Sequence, residues 1–352
     1  MDTNELMGLL PPQVVAMYQI MQAMQVGATL SDRVQAVLTV TVHATGLKGG
    51  TVRLLTPDRQ RLDLVAAYGL SESYLAKGQV EVARSGLDRL VLDGETVVVD
   101  DAGADPRLQY PAEAAREGIR SLLALPLRFG SRTVGVFRVY SATPHRFPPE
   151  ETAFLTAVAN AAGASLENAR MHEALLDIAQ AVGSSLKLAD VLVTVLERTV
   201  VDLGLRAGLI RLLDPETETL PLVAAYGLSE TYIHKGTVNI GRSHLDQRVL
   251  AGEVIASANV GTDSAFQYPD AARREGLASA LSLPLRVHQR PVGVLRVYSA
   301  VEYTFTHQEI EFLTAVAQLG ATAIENACLY EALQAQNKNL EADLQAWYSF
   351  VG

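Results

Sequence analysis

Residues 64–72 read Leu-Val-Ala-Ala-Tyr-Gly-Leu-Ser-Glu, and the same nine letters return at residues 222–230. This offset of 158 residues (64 to 222) holds without a gap as far as Glu173-Ala174-Leu175, which matches Glu331-Ala332-Leu333. Roughly half of the positions between these two points are identical, far more than a chance period produces. A period of this length is that of a whole domain, so the chain is one module written twice.

The composition predicts an acidic globular protein. The 352 residues are 49% hydrophobic and 19% charged, so each copy can bury a full core. The net charge is −10, which argues against a nucleic-acid partner because phosphate binding needs a basic face. Basic residues do not cluster in runs, and no apolar run is long enough to span a bilayer. We therefore expect neither a nucleic-acid nor a membrane partner.

The cysteine count, the histidines and the missing catalytic motifs exclude several kinds of functional site. The single cysteine, Cys328, excludes an intrachain disulfide and suits a reducing cytoplasm. Asp2 and Glu5 precede the first apolar residues, so the N-terminus does not resemble a signal peptide. No histidine pair has metal spacing, and no phosphate loop or nucleophile elbow is present. We expect a cytoplasmic protein that is not an enzyme and has no metal site.

Each copy shows the same order of predicted elements. In the first copy, helices are expected from Val14 to about Val26, from Asp32 to about Thr45 and from Pro149 onward. The predicted strands are 52–55, 62–68, 97–99, 121–128 and 134–141, with short helices at 85–92 and 112–117. No proline or glycine-rich linker separates the copies, so one helix is expected to run from the first into the second. Strands between terminal helices, with an antiparallel hairpin, predict an α+β module.

The amino-acid sequence of this module resembles that of GAF domains. The run 117–127 is followed by Val134-Gly135-Val136 and later by Leu166-Glu167-Asn168-Ala169, and the second copy repeats this order. The resemblance covers nearly all of both copies. It implies two tandem GAF-like domains, each an antiparallel sheet with N- and C-terminal helices on one face and a pocket-covering segment, about 77–121, on the other. The implied organisation is an N-terminal helix (1–30), GAF domains at 31–170 and 189–328, a helical linker (171–188) and a C-terminal coiled-coil helix (329–352).

The resemblance does not name a cofactor. Phytochrome-like GAF domains attach a bilin through a cysteine in the middle segment, whereas Cys328 lies on the final helix, so covalent bilin attachment is not expected. The signature of cyclic-nucleotide GAF domains is absent from both copies. GAF-type methionine sulfoxide reductases need several cysteines, and this chain has one.

Two arginines lie inside otherwise apolar strands in each copy: Arg53 and Arg138, with Arg211 and Arg296 as counterparts. If both face the pocket, their like charges repel unless an anion or a carboxylate joins them. One interpretation is an anionic ligand held by a fork of donors. The other, which the sequence favours, is an internal ion pair with Glu72 or Glu230.

The middle segment differs between the copies. Asp100-Asp101 becomes Ala258-Asn259, Pro106-Arg107 becomes Ser264-Ala265, Gly86 becomes His244 and Arg120 becomes Ala278. These changes indicate either two pockets of different chemistry or drift on surface loops. His244 begins a helix, where a solvent-facing position is the alternative to a ligand contact. The candidate ligand-binding residues are Arg53, Asp101, Arg107, Tyr110, Ser121, Arg138, Arg211, His244, Tyr268, Ser279 and Arg296.

The C-terminal helix carries a heptad seam. Its apolar positions alternate spacings of four and three: Phe312, Val316, Leu319, Ala323, Asn326, Tyr330, Leu333, Asn337, Leu340, Leu344, Trp347 and Val351. We assign 312–323 to covering the sheet of its own copy. Beyond Tyr330 a partner chain is the better explanation, and Asn337 is the kind of residue that fixes register in a parallel pair.

Together these features predict a cytoplasmic sensor. It would bind an unknown small molecule in one or both GAF pockets and relay occupancy through a parallel helical homodimer to an unknown downstream protein. The alternative is a ligand-free GAF dimerisation scaffold, whose pockets would be filled by its own side chains.

Overall fold

The computed structural model describes residues 12–23, 29–56, 58–130, 132–184 and 187–351, and the side chains of all of these except 12–14, 30, 184 and 342–351. The chain divides into two compact units, residues 1–170 and 171–352. The first contains α1 (Pro12–Ala23), α2 (Leu30–Thr45), β1 (Gly49–Leu55), β2 (Arg61–Tyr68), α3 (Glu72–Leu75), β3 (Val80–Glu81), a 3-10 helix (Val82–Arg84), α4 (Gly86–Leu92), β4 (Val97–Val99), α5 (Pro111–Arg116), β5 (Ser121–Phe129), β6 (Arg132–Ser141) and the start of α6 (Pro149–Ser184).

The second unit repeats this order. It contains α7 (Leu188–Asp202), β7 (Ala207–Leu212), β8 (Leu222–Tyr226), α8 (Glu230–Ile233), a 3-10 helix (Ile240–Arg242), α9 (His244–Leu250), β9 (Ile255–Ser257), α10 (Pro269–Arg274), β10 (Ser279–Val287), β11 (Arg290–Ser299) and α11 (His307–Val351). The predicted tandem α+β architecture is confirmed.

Each unit is built on one antiparallel sheet. The strand order is β3-β2-β1-β6-β5-β4 in the first unit and β8-β7-β11-β10-β9 in the second. The sixth strand of the first unit is the two-residue β3, which pairs with Arg61 and Leu62. In the register of β1 and β6, Thr51 lies opposite Arg138 and Arg53 opposite Val136. Because side chains alternate along a strand, these four residues share one face of the sheet.

The two faces of the sheet carry different layers. Helices α2 and α6 lie so close to the strands that only glycine fits at two contact points. A Cβ atom added to Gly50 of β1 would lie 2.7 Å from Leu38 Cδ1 of α2, and one added to Gly163 of α6 would lie 2.7 Å from the Arg128 carbonyl oxygen of β5. The opposite face is covered by the segment between β2 and β5, whose Leu87 and Val91 belong to one buried apolar cluster with Leu122 and Tyr140. This second layer is where the resemblance places the pocket.

Helix boundaries agree with the predicted ones except near the ends. Thr29 forms a capping box with Asp32, so α2 begins two residues before its predicted start. The predicted extension of the first helix to Val26 lies outside the described residues. Helix α6 is continuous to Ser184, which confirms a helical passage into the second copy as far as that residue; residues 185 and 186 lie outside the described part.

Helix α11 combines a buried half and an exposed half. Within the described part of the chain, one helical segment, His307–Glu341, is long and apolar enough to cross a membrane, contrary to our prediction. Half of its most apolar window is buried, with Leu313 and Val316 fully covered, as in the core helix of a globular domain. Every residue from Cys328 to Glu341 is exposed.

Candidate functional site

Helix α4 delivers a carboxylate to the pocket face of the first sheet. Ser85 caps the helix by accepting a hydrogen bond from the Asp88 amide at 3.3 Å. Leu87 and Val91 anchor the helix in the apolar cluster, and Asp88 is buried beside them. In the second unit, Ser243 caps α9 in the same way and Asp246 is buried.

This carboxylate forms a buried ion pair with an arginine of the central strand. Arg138 Nη2 donates to Asp88 Oδ1, and Arg296 Nη2 donates to Asp246 Oδ1 at 2.5 Å. Burial opposes the charge of Arg138, but the adjacent Asp88 carboxylate raises its pKa above the ordinary value, so the guanidinium stays protonated.

The internal ion pair that the sequence favoured therefore exists, but with another partner. Glu72 and Glu230, the predicted carboxylates, are both exposed. They occupy the first position of the short helices α3 and α8, each of which buries its tyrosine and leaves this glutamate outside.

The second arginine of each pair has no carboxylate. Arg53 Nη1 donates to the Leu62 carbonyl at 3.0 Å, and Arg211 Nη1 donates to the Leu220 carbonyl at 2.6 Å. Among the described residues, no acidic side chain lies within ion-pair distance of either guanidinium. Burial lowers the pKa of Arg53, as expected for a buried guanidinium without an adjacent carboxylate.

A lysine adds a third basic group in each unit. Lys77 Nζ lies 3.2 Å from the ring centroid of Tyr74, and Lys235 Nζ lies 3.1 Å from that of Tyr232. Burial, reinforced by the nearby arginine charges, lowers the pKa of Lys77 to about 7 and that of Lys235 to about 6. We refer to Arg53, Arg138, Lys77 and Asp88, and to their counterparts, as the basic cluster. It holds three basic groups and one acid.

In the second unit the basic cluster borders two connected spaces. A small cavity of about 20 Å³ is lined by Arg211, Arg296, Asp246 and Phe266, among others. An open groove of about 690 Å³ lies between α8 and α10. Four residues line both spaces: Tyr232, Lys235, Gln267 and Tyr268. The inner cavity has room for about one water molecule. The four shared residues, Lys235 and Tyr268 among them, form the boundary between the cavity and the groove.

The structure brings together only part of the predicted ligand set. The four strand arginines lie in the two basic clusters. Tyr110 and Tyr268 lie at the equivalent rim position, where each hydroxyl donates to a backbone carbonyl, of Gln79 and Thr237 respectively, at 2.9 Å.

The two predicted serines have structural partners. Ser121 Oγ donates to the Thr143 carbonyl at 2.9 Å and accepts from the His145 amide. Ser279 Oγ donates to the Ala258 carbonyl at 2.8 Å and accepts from the Tyr303 amide. Both hydroxyls fasten the segment that follows the hairpin to the start of its first strand.

The remaining predicted residues lie on the surface. Asp101 is exposed and accepts from the Gly103 amide within its own loop. Arg107 pairs with Asp105 at 2.6 Å. His244 is exposed at the start of α9. None of the three reaches the basic cluster, so the differences between the copies at these positions are differences of surface loops.

Sequence reasoning missed the acid and the lysine of the basic cluster. A signal was present, because Asp88 and Lys77 recur as Asp246 and Lys235 at the repeat offset. Asp88 also lies between Leu87 and Val91, the two apolar residues by which the helix packs on the sheet. An acid on that buried face needs a polar or charged partner.

The lowered lysine pKa values predict a rise in stability with pH. Between about pH 7 and pH 10 the folded protein has lost lysine protons that the unfolded chain retains, since the ordinary value is 10.5. Unfolding then takes up protons, so the free energy of unfolding rises with pH, by less than about 1.4 kcal/mol per pH unit for each lysine. Urea titrations at pH 6.5, 8 and 9.5 should show this rise, and Lys77→Met with Lys235→Met should flatten it. Lys338→Met, at an exposed position, should leave the slope unchanged; equal slopes in all three proteins would contradict the assignment.

Comparison with known proteins agrees with this architecture. The family model described as GAF domain matches residues 27–167 and again 185–325. No protein of curated function matches the chain by sequence. Among solved structures, the GAF domain of a phosphoenolpyruvate-protein phosphotransferase from Coxiella burnetii is 21% identical, with 47% of this chain and 98% of that chain covered and a TM-score of 0.43.

Two further solved structures are similar at comparable levels. The GAF domain of an Acinetobacter phosphoenolpyruvate-protein phosphotransferase is 19% identical over 46% of this chain and 96% of that chain, with a TM-score of 0.40. A free methionine-R-sulfoxide reductase from Neisseria meningitidis is 18% identical over 47% of this chain and 93% of that chain, also with a TM-score of 0.40. The two family matches together span most of the sequence, and the chain belongs to the GAF domain family, with two GAF domains in tandem.

Proposed function

We propose that this protein is a cytoplasmic sensor that binds a small anion in one or both GAF pockets and relays its presence through a parallel helical homodimer to a partner protein. GAF domains are signalling and sensory domains that often bind small molecules. The observation that carries the proposal is the unequal charge of the basic cluster, with two buried arginines and a lysine around a single carboxylate.

The charge imbalance favours an anionic ligand. A buried charge without a partner costs free energy, and Asp88 compensates only Arg138. A carboxylate or phosphate placed between the two arginines would accept several charge-assisted hydrogen bonds. It would also raise the pKa of Lys77, because an opposite charge favours the protonated amine. Anion binding should therefore take up protons near neutral pH.

The groove suggests how such a ligand could affect the rest of the domain. Lys235 and Tyr268 line both the groove and the inner cavity, and their counterparts in the first domain are Lys77 and Tyr110. A ligand that reaches the strand arginines of either domain has to displace this pair. Both belong to the segment that covers the sheet. A ligand that prefers the displaced arrangement shifts the population towards it, which is the differential affinity that a sensor requires.

The ligand-free scaffold remains the second candidate, and one observation favours it. The inner cavity of about 20 Å³ is nearly filled by the protein's own side chains. A scaffold needs no ligand, whereas a sensor has to open this space. The two candidates therefore differ in whether anions stabilise the native protein.

Small anions should raise the melting temperature of the full chain, since a ligand of the native state alone stabilises it by mass action. Phosphate, malonate and lactate serve as probes, with sodium chloride at equal ionic strength as the reference. Arg53→Met combined with Arg211→Met should abolish the effect, because it removes the arginines that lack a carboxylate and leaves both ion pairs intact.

The matched control changes the charge equally at exposed sites. Arg84 and Arg242 are exposed counterparts in the two copies, so Arg84→Met with Arg242→Met should retain the anion effect. If none of the three anions stabilises the native protein, the sensor proposal fails and the scaffold stands.

A further inference from the structure

The two buried ion pairs differ in how their remaining polar atoms are satisfied. In the second domain Arg296 Nε donates to Ser282 Oγ at 2.7 Å, and Ser243 Oγ donates to Asp246 Oδ2 at 2.6 Å. The Arg296 guanidinium also lies 4.9 Å from the ring centroid of Phe266. The remaining polar atoms of this ion pair therefore have hydrogen-bond partners within the second domain.

The first domain lacks the corresponding contacts. Ala124 lies opposite Arg138 in the sheet, where Ser282 lies opposite Arg296, and Leu108 replaces the phenyl ring. Among the described residues, Arg138 Nε and Asp88 Oδ2 have no hydrogen-bond partner. The two side chains are only 6% and 1% exposed.

Two unpartnered atoms of opposite kind define what is missing. Arg138 Nε is a donor that needs an acceptor, and Asp88 Oδ2 is an acceptor that needs a donor. A hydroxyl group can supply both. In the second domain two different serines meet these needs, Ser282 beside Arg296 and Ser243 beside Asp246. The first domain has Ala124 in place of Ser282, and its Ser85, the counterpart of Ser243, accepts from the Asp88 amide but does not donate to Oδ2.

One neighbouring position is more polar in the first domain than in the second. Thr51 replaces Leu209 on the pocket face of the central strand, and its hydroxyl lies 3.0 Å from that of Tyr140. In the second domain Tyr298 instead contacts the Tyr232 hydroxyl at 3.1 Å. Arg53 and Lys77 lie near the same space, since their counterparts Arg211 and Lys235 line one small cavity together with Asp246 and Arg296.

We infer that the N-terminal GAF domain is the ligand-binding copy, and that its ligand is a small hydroxycarboxylate. The ligand's hydroxyl takes the place of the Ser282 hydroxyl beside Arg138 Nε and donates to Asp88 Oδ2, and the carboxylate offsets the charge of Arg53 and Lys77. The C-terminal copy, whose ion pair is already satisfied, is structural. This inference rests on the proposed function and specifies its site and ligand class.

Isothermal titration of the full chain with lactate and propionate tests the ligand class, because these two acids differ only in the hydroxyl. We expect one lactate per chain and an affinity for propionate at least about tenfold lower, the usual effect of leaving buried polar groups unpaired.

A pair of reciprocal variants tests the site. Ala124→Ser supplies the hydroxyl that the second domain carries, and Ser282, fully buried at the equivalent position, shows that the fold accommodates it. This variant should melt no lower than the native protein and should bind lactate at least about tenfold more weakly. Ser282→Ala is the matched control, since it alters the second domain and should leave the lactate site of the first unchanged.

The outcomes separate this inference from the proposed function. Three results would overturn the inference: two equivalent sites per chain, equal affinity for lactate and propionate, or full lactate binding by Ala124→Ser. The last result would mean that water, and not the ligand, satisfies the unpartnered atoms in the native protein. In each of these cases anion sensing itself stands. Failure of lactate, malonate and phosphate alike to bind the full chain would instead refute the proposed function.

Discussion

Replacing Asp88 with asparagine is expected to lower the free energy of unfolding of the N-terminal domain by about 3–5 kcal/mol, the usual cost of removing one partner of a buried ion pair. Asp88 is the single carboxylate of the basic cluster, so its removal leaves Arg138 and Arg53 buried without an acid. A urea titration of the full chain follows both domains, and the transition of the N-terminal domain should move to lower urea concentration.

Two variants show whether the loss comes from the buried charge. Asp100→Asn makes the same change at an exposed position and should alter stability by less than about 0.5 kcal/mol. Asp88→Leu combined with Arg138→Met removes both charges and should recover much of the stability, since replacing a whole buried pair by apolar groups is often neutral. A loss below about 1 kcal/mol for Asp88→Asn, or no recovery in the double variant, would contradict a buried pair that is tightly coupled.

The arginines could be found from sequence because their signal is local. A charged residue inside an apolar strand stands out by itself, and the strand parity of Arg53 and Arg138 places both on one face. The second copy has Arg211 and Arg296 at the equivalent positions, so the two strand arginines do not occur there by chance. For the same reason the strands and the hairpin of β5 and β6 were predictable, because apolar runs and hairpin turns are short-range features. The pairing of β1 with β6 joins distant parts of the chain, and no local pattern predicts it.

The partner of the arginine could not be found in the same way. Asp88 lies fifty residues before Arg138 and on a helix, so their contact depends on how α4 packs on the sheet. Glu72 is nearer than Asp88 to Arg53 in the sequence, but its side chain is exposed at the first position of a four-residue helix. Lys77 follows that helix in a loop, where no periodicity distinguishes a buried amine from an exposed one.

The exposed part of the heptad seam on α11 is expected to hold two chains together. Leu333→Lys combined with Leu340→Lys should therefore convert a dimer into monomers and halve the mass of the particle. The seam residues Tyr330, Leu333 and Leu340 are 38%, 56% and 64% exposed, and within the described part of the chain nothing covers them. Burying a leucine contributes about 1.5–3 kcal/mol, so four leucines in a symmetric pair contribute enough to hold two helices together. Multi-angle light scattering at micromolar concentration measures the mass directly. The positions Leu344, Trp347 and Val351 continue the seam, although their side chains lie outside the described residues.

The control for this variant lies on the same helix. Ala332 and Ala335 are exposed outside the seam, so Ala332→Lys with Ala335→Lys adds the same charge and should remain dimeric. The orientation has its own test, because a parallel, in-register pair brings position 337 beside itself. Asn337→Cys, in a chain with Cys328→Ser, should therefore form a disulfide between protomers on mild oxidation. A monomeric native chain, or an unchanged mass in the leucine variant, would refute dimerisation through this seam. A dimer that does not cross-link at 337 would refute only the parallel register, and the relay would then need helices that meet in another arrangement.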